Sequence, residues 1–246
     1  MTFMTRVDAL LKYPASVKSA IKLQEQFAHM VSLIPRKVPP TITGIDLSYS
    51  TQSLKNDISR AVAAAVTVRL PSLEPVETAI ASGTIPFPYV PGCLGFREVP
   101  LAAAAIEKLD NDPCVILFDG HGIAHPRKFG AASHCGLALG IPSIGCAKSA
   151  FTTTQTCQIA MEQFASQPSW LRKQVVGHAI RMAEGVNPVF MSPGHLVDMA
   201  SALQIMRCCS SGFRVPQPIR LAHEAAGREK KQLSSSPPRD WLDPLP

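Results

Sequence analysis

TITGIDLSYS, residues 41–50, decides the fold of this chain together with ISRAVAAAVTVRL, residues 58–70. Both stretches are rich in β-branched and small apolar residues, and the short polar segment TQSLKND separates them. Two such runs joined by a polar turn predict an antiparallel β-hairpin. Before the hairpin, apolar residues recur at helical spacing over residues 17–31 until Pro35 interrupts the pattern, which predicts a first helix.

After the hairpin, helix and strand patterns alternate along the chain. FREVPLAAAAIEKL, beginning at Phe96, has a helical pattern, whereas CVILFDG (114–120) is a short apolar run typical of a buried strand. This alternation predicts a mixed sheet with helices on both of its faces. The other predicted elements are a helix over 128–139, the strand IPSIGCAK (141–148), a hairpin of QVVGHAIRM (174–182) and NPVFMS (187–192), and helices over 196–209 and 219–231.

The chain is long enough to bury one full hydrophobic core. Its 246 residues with 46% apolar content predict one compact domain over residues 1–231, followed by a flexible tail over 232–246. A charged content of 17% argues against a disordered chain, and 6% aromatic residues argue against a protein built on many base-stacking platforms. The net charge of +6 and the pI near 9.0 favour an anionic partner such as nucleic acid.

The cysteines and the hydropathy pattern bear on the cellular compartment. The seven cysteines form no CxxC pair and have no regular spacing, so we expect reduced thiols that pack as small buried residues. No apolar run has the length of a membrane span, and the first residues lack the apolar core of a secretory signal. We therefore expect a cytoplasmic, monomeric protein with no membrane partner, while the basic segment 6–22 leaves an organelle transit peptide open.

Three acidic residues stand at positions where burial makes a charge costly or where a helix dipole favours it. Asp46 lies between apolar neighbours inside the strand GIDLSYS, and Asp119 directly follows the apolar run VILF. Glu98 falls in the first turn of the predicted second helix, where the helix dipole favours a carboxylate. Ligand sites in α/β sheets lie beyond the carboxyl ends of strands, so carboxylates that converge there would suit Mg²⁺, with Mn²⁺ as a substitute. The alternative for each acid is a salt bridge or a helix cap.

The loop DGHGIAHPRKFG (119–130) combines glycines with basic residues. Its glycines allow a ligand to approach the backbone closely, and His125, Arg127 and Lys128 can meet phosphate oxygens. The alternative is a basic turn that faces only solvent. His121 and His125 have the i, i+4 spacing of some zinc-binding helices, but glycine and proline within the loop disfavour a helix. Because no third soft ligand follows at a recognisable spacing, we do not expect zinc.

Six segments occur in the same order as in one known nuclease family, and over most of its length the chain resembles the endonuclease V family. The resemblance implies an RNase H-like α/β fold, a single domain in which helices flank a mixed sheet of about five to eight strands. It also implies a magnesium-dependent endonuclease that recognises inosine, the product of adenine deamination, in DNA or RNA. The segments are GIDLSYS (44–50), FPYVPGCLGFRE (87–98), FDGHGIAHPRKFGAASHCGL (118–137), IPSIGCAK (141–148), GVNPVFMSPGH (185–195) and VPQPIRLAH (215–223).

The same resemblance assigns roles to individual residues. Asp46, Glu98 and Asp119 fall where the family has its metal-coordinating acids. His223 falls where a further family residue completes the metal site, and Lys148 falls at a family lysine near the scissile phosphate. The predicted catalytic residues are Asp46, Glu98, Asp119, Lys148 and His223, of which all but Lys148 belong to the metal site. The predicted substrate-binding residues are Pro88, Tyr89, Val90, Pro91, Gly92, Arg97, Gly122, Ile123 and His125.

PYVP, residues 88–91, matches the wedge with which the family separates the lesion from its neighbours. A tyrosine between two prolines is a rigid aromatic suited to fill the gap left by an extruded base, whereas the alternative is an ordinary turn tyrosine. We expect backbone of Gly92, Gly122 and Ile123 to wall the pocket that reads the Watson–Crick edge of the flipped base.

The activity implied by the resemblance is hydrolysis of a phosphodiester bond 3′ to inosine, one nucleotide beyond it, in DNA repair. The products would carry 3′-hydroxyl and 5′-phosphate ends. Two alternatives remain: an inosine-specific endoribonuclease, and a catalytically silent module that only binds nucleic acid. The intact carboxylates argue against the silent module, because a decayed enzyme would have no reason to keep a charged Asp46 within an apolar strand.

Three departures from the family pattern bear on the substrate. Gly95 stands where a serine is expected, and Leu196 follows His195 where an arginine is more usual. The change at Leu196 concerns a phosphate contact, and therefore affinity rather than chemistry. Residues 149–173 match the family poorly, so the substrate preference can differ from the family norm.

Overall fold

The computed structural model of the protein describes residues 7–50, 58–151 and 159–235. The strands are β1 (Thr41–Tyr49), β2 (Ser59–Arg69), β3 (Glu74–Ile85), β4 (Ile116–Phe118), β5 (Ser143–Ala147), β6 (Ser166–Leu171), β7 (Gln174–Ile180) and β8 (Val189–Pro193). The α-helices are α1 (Val17–Phe27), α2 (Leu94–Ile106), α3 (Ala131–Leu139), α4 (Met199–Cys208) and α5 (Gln217–Ser235), and short 3₁₀ turns occupy Asp8–Leu11 and Ala28–Met30.

The eight strands form one mixed sheet in the order β3-β2-β1-β4-β5-β8-β7-β6. β2 pairs antiparallel with β1, placing Asp46 opposite Ala64, and β3 pairs antiparallel with β2. β4 lies parallel to β1 on its other side, and β5 lies parallel to β4. β8, β7 and β6 continue the sheet by antiparallel pairing. Both predicted hairpins, the central strand and the mixed RNase H-like sheet are therefore confirmed.

Helices cover both faces of the sheet. On one face, α2 and α3 pack over fully buried side chains that include Ile45, Ile116 and Phe118. On the other face, α4 packs over Leu117 and Ile144, while α5 packs over alternate residues of β2. Successive residues of a strand point to opposite faces, so a strand covered on both sides needs apolar residues throughout. This explains why the central strands appear as continuous apolar runs in the sequence.

Gly44 in β1 fixes the position of α5. A Cβ atom at residue 44 would lie 2.1 Å from the carbonyl carbon of Pro218, a distance that no real contact allows. Only glycine therefore lets the first turn of α5 approach β1 so closely. The close approach carries the next turns of α5 along the same strand.

Several helix boundaries differ from the sequence predictions. α3 begins after residue 128, because Lys128 has a φ of 53° and this left-handed conformation cannot belong to the helix. α4 begins after residue 196 for the same reason, since Leu196 has a φ of 55° and the Asp198 side chain caps the helix. α5 continues beyond the predicted end at 231. No described helix is long and apolar enough to cross a membrane.

Two predicted segments fall wholly or mostly outside the described residues. The turn 51–57 is one of them, and the tail 232–246 is the other, apart from its first residues, which continue α5. The division into a domain over 1–231 and a flexible tail therefore stays a prediction.

The sequence patterns did not predict β3 and β6, which form the two edges of the sheet. An edge strand pairs on one side only, so it tolerates proline and polar residues that a central strand excludes. Pro75 lies in β3 and Pro168 lies in β6. Because of these residues, β3 and β6 lack the apolar alternation from which strands are predicted.

Six of the seven cysteines lie in the described part of the chain, and all six are free thiols. Cys93, Cys135, Cys146 and Cys209 are buried, as expected for small packing residues. Burial raises the pKa of Cys135 to about 12, which keeps this thiol neutral and unreactive.

His134 in α3 is expected to make the fold less stable in mild acid. Its ring is fully buried against Phe96 and Phe129, and Nε2 donates a hydrogen bond to the Leu10 carbonyl at 2.7 Å. Burial lowers the pKa of His134 to about 4, from 6.5 for an exposed imidazole. The stability that depends on the neutral ring is fully present above pH 6.5 and is lost as the pH falls toward 4.

Urea unfolding measured between about pH 7 and pH 5 tests this expectation. His134 alone should lower the free energy of unfolding by up to about 1.4 kcal/mol per pH unit. His134→Gln keeps a donor for the Leu10 carbonyl but cannot be protonated, so its stability should depend less on pH. Replacing the exposed His29 in the same way is the control. A pH dependence identical in wild type and His134→Gln would contradict the expectation.

Candidate active site

The carboxyl ends of β4 and β5 bring two predicted catalytic residues beside β1. Asp119 directly follows β4, and its backbone N–H donates to the Ile45 carbonyl at 3.0 Å, which places it next to Asp46 on β1. Lys148 directly follows β5, and its Nζ lies 2.5 Å from Oδ2 of Asp119. Parallel strands end at the same edge of a sheet, so three residues that are distant in sequence meet at one point.

His223 reaches this point from α5. Its Nδ1 lies 2.6 Å from Oδ2 of Asp46, and the close packing of α5 at Gly44 makes this contact possible. The Asp46 carboxylate is buried, whereas the His223 side chain is 63% exposed. The second ring nitrogen of His223 is therefore open to solvent or to a bound strand.

Glu98 approaches the same carboxylates from α2 on the other face of the sheet. It lies in the second turn of α2 and not in the first, so the predicted stabilisation by the helix dipole is wrong. The Tyr49 hydroxyl instead donates to Oε1 of Glu98 at 3.0 Å. Burial raises the pKa of Glu98 to about 8, and the nearby charges of Asp46 and Asp119 add to this effect.

Asp46 is the second acid whose ionised form is disfavoured in this site. Burial raises the pKa of Asp46 to about 6, and the neighbouring charge of Asp119 contributes in the same direction. The hydrogen bond with His223 opposes this rise only in part. Acids that are buried and repel one another form a site of negative potential, where a bound cation would favour the ionised carboxylates.

The carboxylate oxygens of Asp46, Glu98 and Asp119 are of the chemical type that binds a hard divalent cation. Within the described residues, no three His, Cys, Asp or Glu side chains are arranged closely enough to hold one ion together. Each carboxylate has a protein partner in its place: a lysine, a histidine or a tyrosine. Carboxylate oxygens are the ligands that Mg²⁺ and Mn²⁺ prefer. A cation would replace some of these side-chain partners.

A cavity of about 260 Å³ opens beside Asp119 and Lys148. Its wall includes most of the predicted wedge, namely Tyr89, Val90 and Pro91. Tyr89 is 68% exposed, so it stands at the rim and is not packed into the core. The other lining residues are Gln24, Gly92, Leu94, Gly95, Gly120, His121, His125, Gly130, Ala131, Ala147, Ser149 and Phe151.

The Gly92 carbonyl anchors the wedge loop to the rest of the protein. It accepts hydrogen bonds from Nε2 of Gln24 at 2.9 Å, from Arg127 at 2.8 Å and from His125 at 3.0 Å. Nε of Arg127 also donates to Oε1 of Gln24 at 2.7 Å. Gly92 has a φ of 83°, a conformation that favours glycine. Gln24 was not predicted as a site residue, because a single glutamine in an amphipathic helix carries no pattern of its own.

Two basic residues of the loop 119–130 point inward rather than toward phosphate. Arg127 was predicted to meet phosphate oxygens, but two of its guanidinium nitrogens donate to Gln24 and Gly92, as described above. Both ring nitrogens of His125 are also occupied, since Nε2 bonds to Gly92 and Nδ1 accepts from the Arg127 backbone at 3.2 Å. Burial lowers the pKa of His125 to about 4, so the ring is neutral. With both nitrogens occupied, His125 can contact a substrate through its ring atoms but has no ring nitrogen left for a hydrogen bond.

Of the three residues predicted to wall the base pocket, only Gly92 borders the cavity. Gly122 donates its N–H to Oγ of Ser192 at 2.7 Å, and Ile123 donates to the Pro193 carbonyl at 2.8 Å. Close packing against β8 thus occupies the backbone groups that were expected to read a base.

Two further predicted substrate contacts, Pro88 and Arg97, also lie off the cavity wall. Arg97 is buried and donates to the Phe87 carbonyl and to Oγ of Ser59. Its guanidinium also lies over the Tyr49 ring, 4.9 Å from the centroid. Arg97 therefore supports the base of the wedge loop and the tyrosine that bonds to Glu98.

Comparison with known proteins decides the family. The family model described as Endonuclease V matches residues 22–224. The chain belongs to the endonuclease V family. Endonuclease V of Methanothrix thermoacetophila is 40% identical over 218 residues, which cover 89% of this chain and 94% of that protein. Members of the family are, as the name states, endonucleases that hydrolyse nucleic acid strands internally.

Solved structures of the family share the fold. Endonuclease V from Streptomyces avermitilis superposes with a TM-score of 0.83 at 36% identity, over 91% of this chain and 96% of that one. Endonuclease V from Ciona intestinalis, in complex with a 23mer DNA containing an inosine followed by a ribo-adenosine, gives 0.74 at 24% identity, over 88% and 98%. At 24% identity, the similarity to the Ciona intestinalis structure shows a shared fold and no more.

The two single-residue departures from the family pattern have local explanations. A Cβ atom on Gly95 would lie 2.7 Å from Nδ1 of His134, so the position has no room for a serine while that ring is in place. Leu196 is buried, its N–H donates to the Ser32 carbonyl at 2.7 Å, and its carbonyl accepts from Nε of Arg36 at 3.0 Å. Position 196 is thus part of the packing between β8 and the segment after α1.

Proposed function

We propose that the protein is a magnesium-dependent endonuclease that cuts nucleic acid strands next to inosine and acts in the cytoplasm, as a monomer, in the repair of deaminated adenine in DNA. The observation that carries the proposal is that the cavity and the carboxylate site are continuous: Asp119 and Lys148 belong to both. When a base occupies the cavity, the strand that carries it would therefore pass over the acids.

The size and lining of the cavity support a single flipped base as its occupant. Its volume of about 260 Å³ lies just under the roughly 300–1,000 Å³ of pockets for drug-sized ligands. Tyr89 is exposed at the rim, from where it would fill the gap that the extruded base leaves. The same fold carries inosine-containing DNA in the Ciona intestinalis protein. Five of the six sequence segments that resemble the family contribute residues to this cavity or to the acids and their partners.

Asp46, Glu98 and Asp119 would hold Mg²⁺ or Mn²⁺, with His223 completing the site. When bound, the ion would activate water and stabilise negative charge on the phosphodiester. Tyr49 keeps Glu98 oriented by donating to one of its oxygens. His223, paired with Asp46 and exposed on its other side, can take up or release a proton at the free nitrogen.

Lys148 would stabilise the charge of the scissile phosphate. Partial burial opposes protonation of its amine, but the hydrogen bond and the charge of Asp119 outweigh this, so the net pKa of Lys148 is raised. The amine therefore stays cationic at the cavity mouth. We place the cut at the second phosphodiester bond 3′ to inosine, which leaves a 3′-hydroxyl and a 5′-phosphate.

The experiment that tests the proposal uses matched DNA and RNA oligonucleotides, with and without inosine, each in Mg²⁺ and in EDTA. Cleavage of inosine DNA in Mg²⁺ alone is the expected result. Cleavage confined to inosine RNA would make the protein an inosine-specific endoribonuclease. Binding of all four oligonucleotides without cleavage in either condition would make it a silent binding module and would overturn the proposal.

A further inference from the structure

Phe213 is an exposed aromatic residue in the segment between α4 and α5. Its side chain is 54% exposed, and it follows Gly212, whose φ of 83° is a left-handed conformation that favours glycine. The guanidinium of Arg220 lies over the Phe213 ring, 4.5 Å from the centroid. A ring covered by a cation on one side and open to solvent on the other is a surface on which a nucleobase can stack.

Several hydrogen bonds fix this pair in place. Oε1 of Gln217 accepts from Arg220 at 2.9 and 3.1 Å and from Oγ of Ser211 at 2.8 Å. NH1 of Arg220 also donates to Oε1 of Glu224 at 2.5 Å. The loop that bears Phe213 and the helix that bears Arg220 are thus joined through one glutamine. Because the groups are already ordered, stacking a base on them would cost little side-chain entropy.

The pair lies next to the carboxylate site, and neither residue lines the cavity. Arg214, the residue after Phe213, donates to the Lys148 carbonyl at 2.5 Å. Arg220 stands one helical turn before His223, the partner of Asp46. The cavity wall includes Lys148 but neither Asp46 nor His223. A strand whose inosine occupies the cavity would pass Asp119 and Asp46 before it reaches Phe213.

We propose that Phe213 and Arg220 form a stacking platform for the base of the second nucleotide after inosine, the one immediately 3′ to the scissile phosphate. The inference rests on the proposed function, because it takes the cavity as the inosine site. Stacking at this position fixes the strand on the far side of the cut. The scissile phosphate is then held from both sides, and stacking accepts any base, as a nuclease with one specific lesion requires.

The test combines a protein change with a substrate change. kcat/KM is measured for wild type and Phe213→Ala on inosine DNA that has either a normal base or an abasic site at the second position after inosine. For wild type, the abasic site should lower kcat/KM by roughly 5- to 150-fold. Phe213→Ala should show a similar loss on the normal substrate and no further loss on the abasic one. Trp170→Ala, an exposed aromatic on the edge strand β6, should behave as wild type.

Two outcomes would overturn the platform. One is a loss for Phe213→Ala that is independent of the base at this position, and the other is wild-type cleavage that is insensitive to the abasic site. A binding measurement in EDTA keeps the test independent of cleavage: 2-aminopurine at the second position should lose fluorescence on binding wild type or Phe213→Tyr, but not Phe213→Ala. Equal quenching by all three proteins also overturns the platform. Failure of the proposed function looks different, since wild type would then cleave inosine and adenine substrates alike, or neither.

Discussion

Asp46→Asn or Asp119→Asn is expected to lower kcat/KM on inosine DNA by at least about 100-fold, because each removes a charge from a site where a cation would supply several kcal/mol of transition-state stabilisation. The side chains keep their volume, so the fold and much of the substrate affinity should remain. Glu25→Gln, an exposed change on α1, is the matched control. Near-normal Mg²⁺-dependent cleavage by either variant would remove that residue from the site.

Glu98→Gln extends this prediction to stability, because its carboxylate is buried and accepts a hydrogen bond from the neutral Tyr49 hydroxyl. The pKa of Glu98 is raised to about 8 from 4.5, so ionisation destabilises the metal-free fold increasingly above pH 4.5, with the full penalty reached above pH 8. In EDTA near pH 8, Glu98→Gln should therefore have a higher Tm than wild type. Its free energy of unfolding should exceed that of wild type by at most about 5 kcal/mol. Mg²⁺ should raise the Tm of wild type and leave that of the variant nearly unchanged. A variant that is less stable than wild type in EDTA, or that Mg²⁺ stabilises as strongly, would contradict the assignment of Glu98.

Tyr89→Ala is expected to lower productive binding of inosine DNA by roughly 5- to 150-fold through the loss of aromatic stacking. The loss should be larger on duplex DNA, where the base must be extruded and the gap filled, than on a single strand. Tyr89→Phe keeps the ring and should retain most of the activity. The carboxylate site should be unaffected, so the Mg²⁺ dependence of the remaining cleavage should match that of wild type.

The exposure of Tyr89 separates this role from that of a packed turn residue. A ring that is 68% exposed contributes little to core packing, so the Tm of Tyr89→Ala should stay close to that of wild type. A clear drop in Tm together with an equal loss on duplex and single-stranded substrates would indicate a structural tyrosine. Unchanged cleavage of both substrates would exclude Tyr89 from the site.

The central part of the fold could be predicted because burial on both faces leaves a direct mark on sequence. β2 is a long run of mostly small and branched apolar residues, and β4 is a short apolar run that ends before Asp119. β3 and β6 could not be found in this way, because edge strands accept proline and polar residues. The starts of α3 and α4 were misplaced for another reason: left-handed backbone at Lys128 and Leu196 does not follow from residue type.

For the candidate site, sequence identifies charged residues better than it predicts where they point. Asp46 and Asp119 stand out because a charge next to apolar strand residues needs a partner. Arg127 and His125 appear equally accessible in the sequence, yet both turn inward to hold Gly92. Their third partner, Gln24, comes from α1, 68 residues before Gly92, and no local pattern links the two positions.

The most direct measurement is the position of the cut on a duplex that carries a single inosine, mapped from labels at each end of the strand. In Mg²⁺ we expect one cut at the second phosphodiester bond 3′ to inosine, a ligatable 5′-phosphate on the downstream fragment, and no product in EDTA or with Asp119→Asn. Cuts that do not depend on inosine, or the same cut in EDTA, would contradict the proposal that this cavity holds the flipped base while the adjoining carboxylates hold the metal.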